Sequence, residues 1–219
     1  MKLGDGIRDS GTGEQSNSRV SWPWNVLKCL EVVVKIFSYV VDHDTGREPN
    51  PYFGICTLCR CKFNKKAEDT PGCRGRRNIV ELAQEEDWVI GTGGAGKRSA
   101  GNGKLIYAMR VDEKLTRRKY VTDSRFKERK PERPRNDFEK DRQFTLVSRY
   151  FYYFGADAIR IPERFRHFEK TGPGFRYVKS AEFGPFLEWL KKRKPGEHGE
   201  PCCKAVDKPK VSERCKSSC

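Results

Sequence analysis

Apolar residues are concentrated in a few short segments, each bounded by polar or glycine-rich residues. Short runs rich in β-branched and aromatic residues are typical of strands. They predict strands at residues 34–41, 55–61, 87–91, 104–111 and 146–153. A later segment, 184–192, places Phe186, Trp189 and Leu190 on one face at helical spacing, with Pro185 in the first turn, and predicts an amphipathic helix. The pattern predicts an α+β fold class: a small β-barrel or strongly twisted sheet with peripheral helices.

A long glycine-rich loop joins the predicted strands 87–91 and 104–111. It carries three cations, Lys97, Arg98 and Lys104. Its start matches G-x-x-x-x-G-K, the first part of a phosphate-binding P-loop. Arg98, however, stands where the magnesium-binding Ser or Thr is needed, and the following Ser-Ala-Gly-Asn-Gly does not favour the helix that should come next. We therefore interpret the loop as one that contacts a phosphate backbone, with a flexible hairpin loop as the alternative.

The chain is strongly basic: 45 Lys and Arg oppose 30 Asp and Glu, which gives a net charge of +15. Such an excess favours association with nucleic acid or another anionic surface. No run of about eighteen apolar residues is present, so we expect no membrane-spanning segment and no membrane partner. The first residues are polar and unlike a secretory signal, so the expected location is the cytoplasm, or the nucleus if the source is eukaryotic. The sequence does not indicate an oligomeric state.

Composition divides the chain into three parts. Residues 1–30 are predicted to be a disordered or loosely attached N-terminal segment. Residues 31–194 contain the predicted strands and helix, and therefore form the domain. Residues 195–219 are polar, basic and rich in cysteine, and are predicted to be a disordered tail. Within the domain, residues 117–135 are dense in cations and could act as an arm that contacts nucleic acid.

Four cysteines of the domain could hold a zinc ion, which needs four ligands in a tetrahedral array. They are Cys56, Cys59, Cys61 and Cys73. Their spacing is not that of the usual zinc-binding pairs. We therefore expect no cofactor, with zinc on these cysteines as the alternative.

Catalysis requires a positioned acid, base, nucleophile or metal, and the sequence offers few candidates. Cys56 could be a nucleophile, although a small buried cysteine is the commoner case. Asp42 and Asp157 follow predicted strands and could face a pocket, although carboxylates there more often cap turns. Asp87, the first residue of a predicted strand, is a further catalytic candidate. Whether the protein is an enzyme is left open.

Binding of a nucleotide base has more candidate residues. Those able to stack on a base are aromatic and lie in or beside predicted strands: Tyr39, Phe53, Trp88, Tyr107, Tyr153 and Phe154. At least half of these rings are expected to belong to the core. Asn50 and Thr57 could form hydrogen bonds with a base edge, and Lys97, Arg98 and Lys104 could neutralise phosphates.

Several blocks of the sequence resemble, in order, the second type of nucleotide modification associated domain. The blocks are FSYVV at 37–41, NPYFG at 50–54, CTL at 56–58, DWVIGTG at 87–93, KLIYAMRV at 104–111 and FYYFG at 151–155. The similarity extends from about residue 36 to residue 190. One departure is visible: a Gly-Asp-Asn-x-Tyr block expected after Lys130-Pro131 is replaced by Glu-Arg-Pro-Arg-Asn-Asp-Phe.

The resemblance implies a role in systems that make or handle modified bases in DNA. The pair of segments 87–90 and 107–111 is also similar to the corresponding pair in PUA-like, EVE and ASCH domains, which are small β-barrels that hold nucleic acid. We therefore expect a PUA-like barrel that binds nucleic acid, with DNA carrying modified bases as its partner, and that recognises or helps to process those bases. The alternatives are an enzyme acting directly on a nucleotide or base, and a structural zinc-binding interaction protein.

Overall fold

The structure, a computed structural model, describes residues 34–59, 78–128 and 144–203. Within these ranges the strands are β1 (Ile36–Val41), β2 (Cys56–Leu58), β3 (Trp88–Gly93), β4 (Lys104–Arg110), β5 (Glu113–Thr116), β6 (Phe144–Ser148), β7 (Phe151–Tyr153), β8 (Ile159–Arg160), β9 (Phe175–Val178) and β10 (Gly196–Glu197). The α-helices are α1 (Ile79–Leu82), α2 (Arg117–Thr122) and α3 (Phe183–Lys191). Short 3₁₀ helices occupy Ser124–Phe126, Gly155–Asp157, Glu163–Phe168 and Ser180–Glu182.

The strands form two sheets. A seven-stranded sheet has the order β10-β7-β4-β3-β1-β9, with β8 paired to β4 as well, and a three-stranded sheet has the order β2-β6-β5. The pairs β1–β3 and β10–β7 are parallel, and the other pairs are antiparallel. Mixed sheets with a few short helices confirm the predicted α+β class. Among the described strands, the hydrogen-bonded ladders do not close into a barrel.

One bent hairpin contributes strands to both sheets. Strand β4 of the large sheet leads directly into β5 of the small sheet, and β6 of the small sheet leads back into β7 of the large one. At the bend, Asp112 N donates to Val147 O at 2.9 Å and Arg110 N donates to Tyr150 O at 3.1 Å. The two sheets therefore share a continuous hydrogen-bonded connection.

The large sheet separates two apolar clusters. On one face, alternate residues such as Ile36 and Trp88 pack against the Glu163–Phe168 turn and α3. There the rings of Phe168 and Phe186 stack with centroids 4.2 Å apart. The other face packs against the small sheet and α1. The large sheet is thus buried on both sides, as its nearly continuous apolar strands require.

The elements predicted from the apolar pattern are confirmed at β1, β2, β3, β4 and α3, whereas the segment 146–153 forms two strands rather than one. Strands β8 and β10 have two residues each, too few for any periodicity to reveal them. Residues 195–203 of the predicted tail lie within the described ranges, where β10 pairs with β7 and Cys203 N donates to Asp44 O. The predicted segment 1–30 and the tail beyond Cys203 lie outside the described residues. No helix in the described ranges is long and apolar enough to cross a membrane.

Candidate nucleic-acid interface

The parallel strands β1 and β3 end at the same edge of the large sheet, and the loops that follow them meet there. Asp44 N donates to Arg98 O at 3.3 Å, which joins the loop after β1 to the glycine-rich loop. Cys203 N donates to Asp44 O at 2.8 Å, which joins a third segment. We define the loop face as these three neighbouring segments: residues 42–54, 94–103 and 200–203.

The glycine-rich loop is compact. Ser99 Oγ accepts a hydrogen bond from Gly94 N at 2.8 Å and donates to Val41 O at 2.6 Å, which fastens the loop to the end of β1. A Cβ at Gly93 would lie 2.0 Å from Gly101 O, so the two ends of the loop approach each other only because position 93 is glycine. No helix follows Lys97, since the chain enters β4 next. The structure therefore agrees that this is not a nucleotide-binding P-loop.

The predicted phosphate-binding cations are divided between two places. Lys97 and Arg98 are exposed in the glycine-rich loop, and neither side chain forms an ion pair within the described residues. Lys104 is half-buried at the start of β4, where it is the register partner of Arg160. Arg47, which the sequence interpretation missed, is exposed on the loop face. Only the placement of its loop against residues 94–103 identifies it.

A buried carboxylate lies beneath the loop face. Asp44 is fully buried, and Tyr153 donates its hydroxyl to both carboxylate oxygens, at 2.7 Å and 2.8 Å. Cys202 N donates to Oδ2 at 3.2 Å and Gly46 N to Oδ1 at 3.3 Å. Burial, followed by the charge of Asp44, raises the pKa of Tyr153, so this hydroxyl stays protonated as a donor. The sequence interpretation did not single out Asp44, because nothing near it in sequence indicates a donor 109 residues away.

A row of three tyrosines crosses the large sheet beside this carboxylate. Tyr39, Gly91, Tyr107 and Tyr153 are register partners on the adjacent strands β1, β3, β4 and β7. The hydroxyls of Tyr39 and Tyr107 are 2.8 Å apart. All three rings are buried in the cluster between the two sheets. These predicted base-binding residues therefore come together, but in the core rather than in an open pocket.

Two other predicted aromatic residues lie on the opposite face of the large sheet. Trp88 packs against Phe183 with ring centroids 5.0 Å apart, and Phe154 stacks on His198 at 5.0 Å. Both rings are buried, and both belong to the cluster that α3 covers. The six aromatic candidates thus do not form a single binding pocket.

Phe53 is the predicted aromatic residue that the structure leaves exposed, with 65% of its surface accessible. It lies in a tight turn in the left-handed backbone region, with a φ of 58°, and Gly54 follows with a φ of 70°. A non-glycine residue in that region costs roughly 1–3 kcal/mol unless the surroundings enforce it. They do so here: Asn50 and Thr57 exchange two backbone hydrogen bonds of 2.9 Å at the base of the turn.

The two predicted base-edge residues are placed differently. Asn50 is half-buried at the base of the Phe53 turn, and its Oδ1 accepts from Tyr52 N at 3.4 Å. Thr57 is buried in β2 of the small sheet, with its Oγ1 3.3 Å from the hydroxyl of Tyr120 in α2. Asn50 therefore belongs to the loop face, whereas the Thr57 side chain contacts α2.

The three catalytic candidates lie apart from one another. Cys56 is fully buried, with its Sγ 3.9 Å from Met109 Sδ. Asp87 accepts from the backbone N–H groups of Lys35 and Gln84, each at 2.8 Å, which is the role of a capping carboxylate. Asp42 is half-buried beside the glycine-rich loop.

Cys59 is the other candidate zinc ligand in the described residues. Its N–H donates to Glu48 Oε2 at 2.7 Å, and Thr145 Oγ1 donates to its Sγ at 3.4 Å. Burial, reinforced by the Glu48 charge, raises the pKa of the Cys59 thiol to about 12. In the described ranges, no three His, Cys, Asp or Glu side chains converge as a metal site. Cys61 and Cys73 lie outside those ranges.

Comparison with known families assigns the chain. The family model described as nucleotide modification associated domain 2 matches residues 33–143 and 132–208. These matches include every strand and helix of the described fold, and the chain therefore belongs to that family. Its membership associates the protein with nucleotide modification. No curated protein and no solved structure matches the chain.

Proposed function

We propose that the protein binds nucleic acid through the loop face, and that it recognises or helps to process modified bases in DNA. The observation that carries the proposal is an exposed aromatic ring, Phe53, in a loop that is hydrogen-bonded to the loop of the exposed cations Lys97 and Arg98. Single-stranded nucleic acid is bound by this combination, in which rings stack on bases and cations follow the phosphates. The family's association with nucleotide modification supports a modified base as the target.

We assign phosphate binding to Lys97, Arg98 and Arg47. All three are exposed, and their side chains form no ion pair in the described part of the chain, so no carboxylate has to be displaced before a phosphate binds. Neutralising phosphates releases counterions, so the affinity of such a surface falls as salt rises. We include Lys104, with Arg160 beside it, as a second point of phosphate binding at the far end of the glycine-rich loop.

We assign base recognition to Phe53, which would stack on a base, and to Asn50 in the same turn, which would form hydrogen bonds with the base edge. Stacking on one aromatic ring contributes about 1–3 kcal/mol and does not depend on sequence. Phe53 lies in the left-handed backbone region, in a turn that the Asn50–Thr57 hydrogen bonds close, and strained backbone of this kind is typical of functional sites.

The architecture is compatible with the PUA-like barrel that the sequence suggested. The bent hairpin of β4, β5, β6 and β7 joins the two sheets in the way that a barrel requires at one corner. We propose that the fold is a relative of such barrels. Direct catalysis on a base remains the alternative, and zinc on the four cysteines stays a prediction that metal analysis of the purified protein decides.

The proposal is tested by measuring binding of fluorescent single-stranded oligonucleotides, with and without 5-hydroxymethylcytosine, across a salt series. The Lys97→Ala/Arg98→Ala variant should bind every sequence more weakly and lower the salt slope by about one unit for each phosphate that is no longer neutralised. The Lys179→Ala/Lys192→Ala variant removes the same charge from exposed positions away from the loop face, and it should retain the wild-type slope. No binding by the folded wild-type protein at low salt would refute the proposal.

Phe53→Ala should weaken binding by roughly 1–3 kcal/mol while leaving the salt slope unchanged, because the variant removes stacking and keeps the charges. Tyr177→Ala is the matched control, since Tyr177 is also an exposed aromatic residue but lies on the edge strand β9. Circular dichroism of each variant shows whether the fold is kept. Equal affinity of the Phe53→Ala and wild-type proteins would remove Phe53 from the site.

A further inference from the structure

The segment Gly196–Cys203, which we call the strap, crosses from the large sheet to the loop face. It begins as β10, parallel to β7, and His198 N donates to Tyr153 O at 2.8 Å. Ala156 N then donates to Glu200 O at 2.7 Å. At its end, Cys203 Sγ donates to Arg98 O at 3.2 Å. The strap therefore contacts the glycine-rich loop at one of its proposed phosphate-binding residues.

Glycines make room for the strap where it meets the rest of the fold. A Cβ at Gly155 would lie 2.0 Å from Glu200 O, and a Cβ at Gly46 would lie 2.6 Å from Pro201 Cγ. Within the strap, a Cβ at Gly199 would lie 2.3 Å from Phe154 O. The strap packs closely here because these three positions have no side chain. Adding a Cβ at one of them should therefore displace the strap.

The strap covers the buried Asp44 carboxylate. Both N–H groups at its end are used there: Cys202 N binds Asp44 Oδ2 at 3.2 Å, and Cys203 N binds Asp44 O at 2.8 Å. Burying a carboxylate that only neutral donors hold costs free energy. Within the described residues, Asp44 forms no ion pair that would offset this cost. When the strap leaves, Asp44 Oδ2 loses the hydrogen bond from Cys202 N. This oxygen can then accept from another donor, such as the amino group of a base.

The strap also adds negative charge to the loop face. Glu197 and Glu200 are exposed and lie close enough to Tyr52 that, after burial, their charges contribute to its raised pKa. Tyr52 directly precedes Phe53 in the turn. While the strap is in place, its carboxylates therefore act on the surface around Tyr52, where Pro201 and the Tyr52 hydroxyl both lie against Gly46, and like charges oppose the binding of a phosphate there.

We propose that the strap is an autoinhibitory cover of the other two segments of the loop face, residues 42–54 and 94–103, which shields Asp44 and presents Glu197 and Glu200 to an incoming strand. A nucleic-acid strand binds fully only after Pro201–Cys203 leave Asp44. This inference rests on the proposed function, because it concerns regulation of the same surface. Release is local: the end of the strap is half-buried, and its hydrogen bonds are few, which is typical of segments that open without global unfolding.

The test uses the full chain with Gly199→Ala, which leaves no space for the seated strap, and Gly155→Ala as a second variant. The matched control is Gly184→Ala, because a Cβ there meets nothing within 4 Å. Strap opening is measured by the rate at which maleimide labels Cys202 and Cys203, resolved by peptide mass spectrometry. Binding is measured with a fluorescent single-stranded oligonucleotide at low salt.

Both strap variants should label about tenfold faster and bind about tenfold more tightly than wild type, as expected when a competent state rises from a tenth of the population to nearly all of it. The control should match wild type. Faster labelling with unchanged affinity would overturn the strap proposal and leave the proposed function standing. Unchanged labelling in both variants would also overturn it. No binding by any of the four proteins would refute the proposed function, and the strap proposal with it.

Discussion

The ring of Tyr107 occupies the space that a side chain at Gly91 would need. A Cβ added to Gly91 would lie 2.2 Å from Tyr107 Cε1 and 2.7 Å from Val41 Cγ2. Gly91 and Tyr107 are register partners on the antiparallel strands β3 and β4. A glycine inside a strand is normally a weakness, but an aromatic ring lying across it from the neighbouring strand restores the missing packing. The glycine therefore leaves the space that the Tyr107 ring occupies in the tyrosine row.

Gly91→Ala should lower the free energy of unfolding by about 1–3 kcal/mol, the usual cost of overpacking a core. The cost arises because the fully buried Tyr107 ring must move to make room for the new methyl group. The shift in the free energy of unfolding is measured by urea denaturation. Gly184→Ala, an exposed change near the start of α3, should be neutral or stabilising by about 0.5–1 kcal/mol. Equal stability of Gly91→Ala and wild type would contradict the packing described.

Tyr153→Phe should destabilise the protein by about 1–3 kcal/mol or more, because it takes both hydroxyl contacts from a fully buried carboxylate. Tyr150→Phe is the matched comparison. Its hydroxyl lies 3.1 Å from that of Tyr152, in a half-buried contact between neutral groups, and its removal should cost about 0.5–1.5 kcal/mol. Urea denaturation measures both. If the two variants are destabilised equally, the Asp44 carboxylate does not depend on Tyr153.

Stability should fall at alkaline pH partly because of Cys59. Its thiol has a pKa of about 12 in the folded protein, against an ordinary value of 9.0, so the folded state holds its proton where the unfolded chain has released it. The stabilisation is fully present below pH 9 and is lost as the pH rises toward 12. Urea midpoints at several pH values should decline less steeply for Cys59→Ala than for wild type. Cys203→Ala, which leaves Cys59 in place, should show the same decline of the urea midpoint with pH as wild type. If the midpoint of Cys59→Ala also declines as steeply as that of wild type, Cys59 is not a cause of the alkaline loss of stability.

The apolar pattern was sufficient to predict β1, β3 and β4 because they are runs of β-branched and aromatic residues, and α3 because its length makes helical spacing visible. It could not reveal that the segment around Arg149 bends between two sheets, since both halves are equally apolar. The candidate site was predicted unevenly. Lys97, Arg98 and Phe53 follow from residue type and loop context, whereas the contact of Tyr153 with Asp44 depends on which strands are neighbours.

Burial also explains why the aromatic candidates were too many. An aromatic residue in a strand can face either side, and a sheet covered on both faces buries both kinds. Tyr39 and Trp88 lie on opposite sides of the large sheet, although each matched the same expectation. Phe53 differs from the candidates within strands in that it lies in a turn.

Strand β1 has consequences for how the protein is made. It pairs with β3 on one side, but its other neighbour, β9, is among the last strands of the fold to be synthesised. During translation the edge of β1 therefore stays unpaired until residues beyond Val178 have left the ribosome, and an open edge of valine and aromatic residues is prone to pair with other chains. Protection of the nascent chain, by chaperones or by slow emergence, should therefore raise the yield of folded protein.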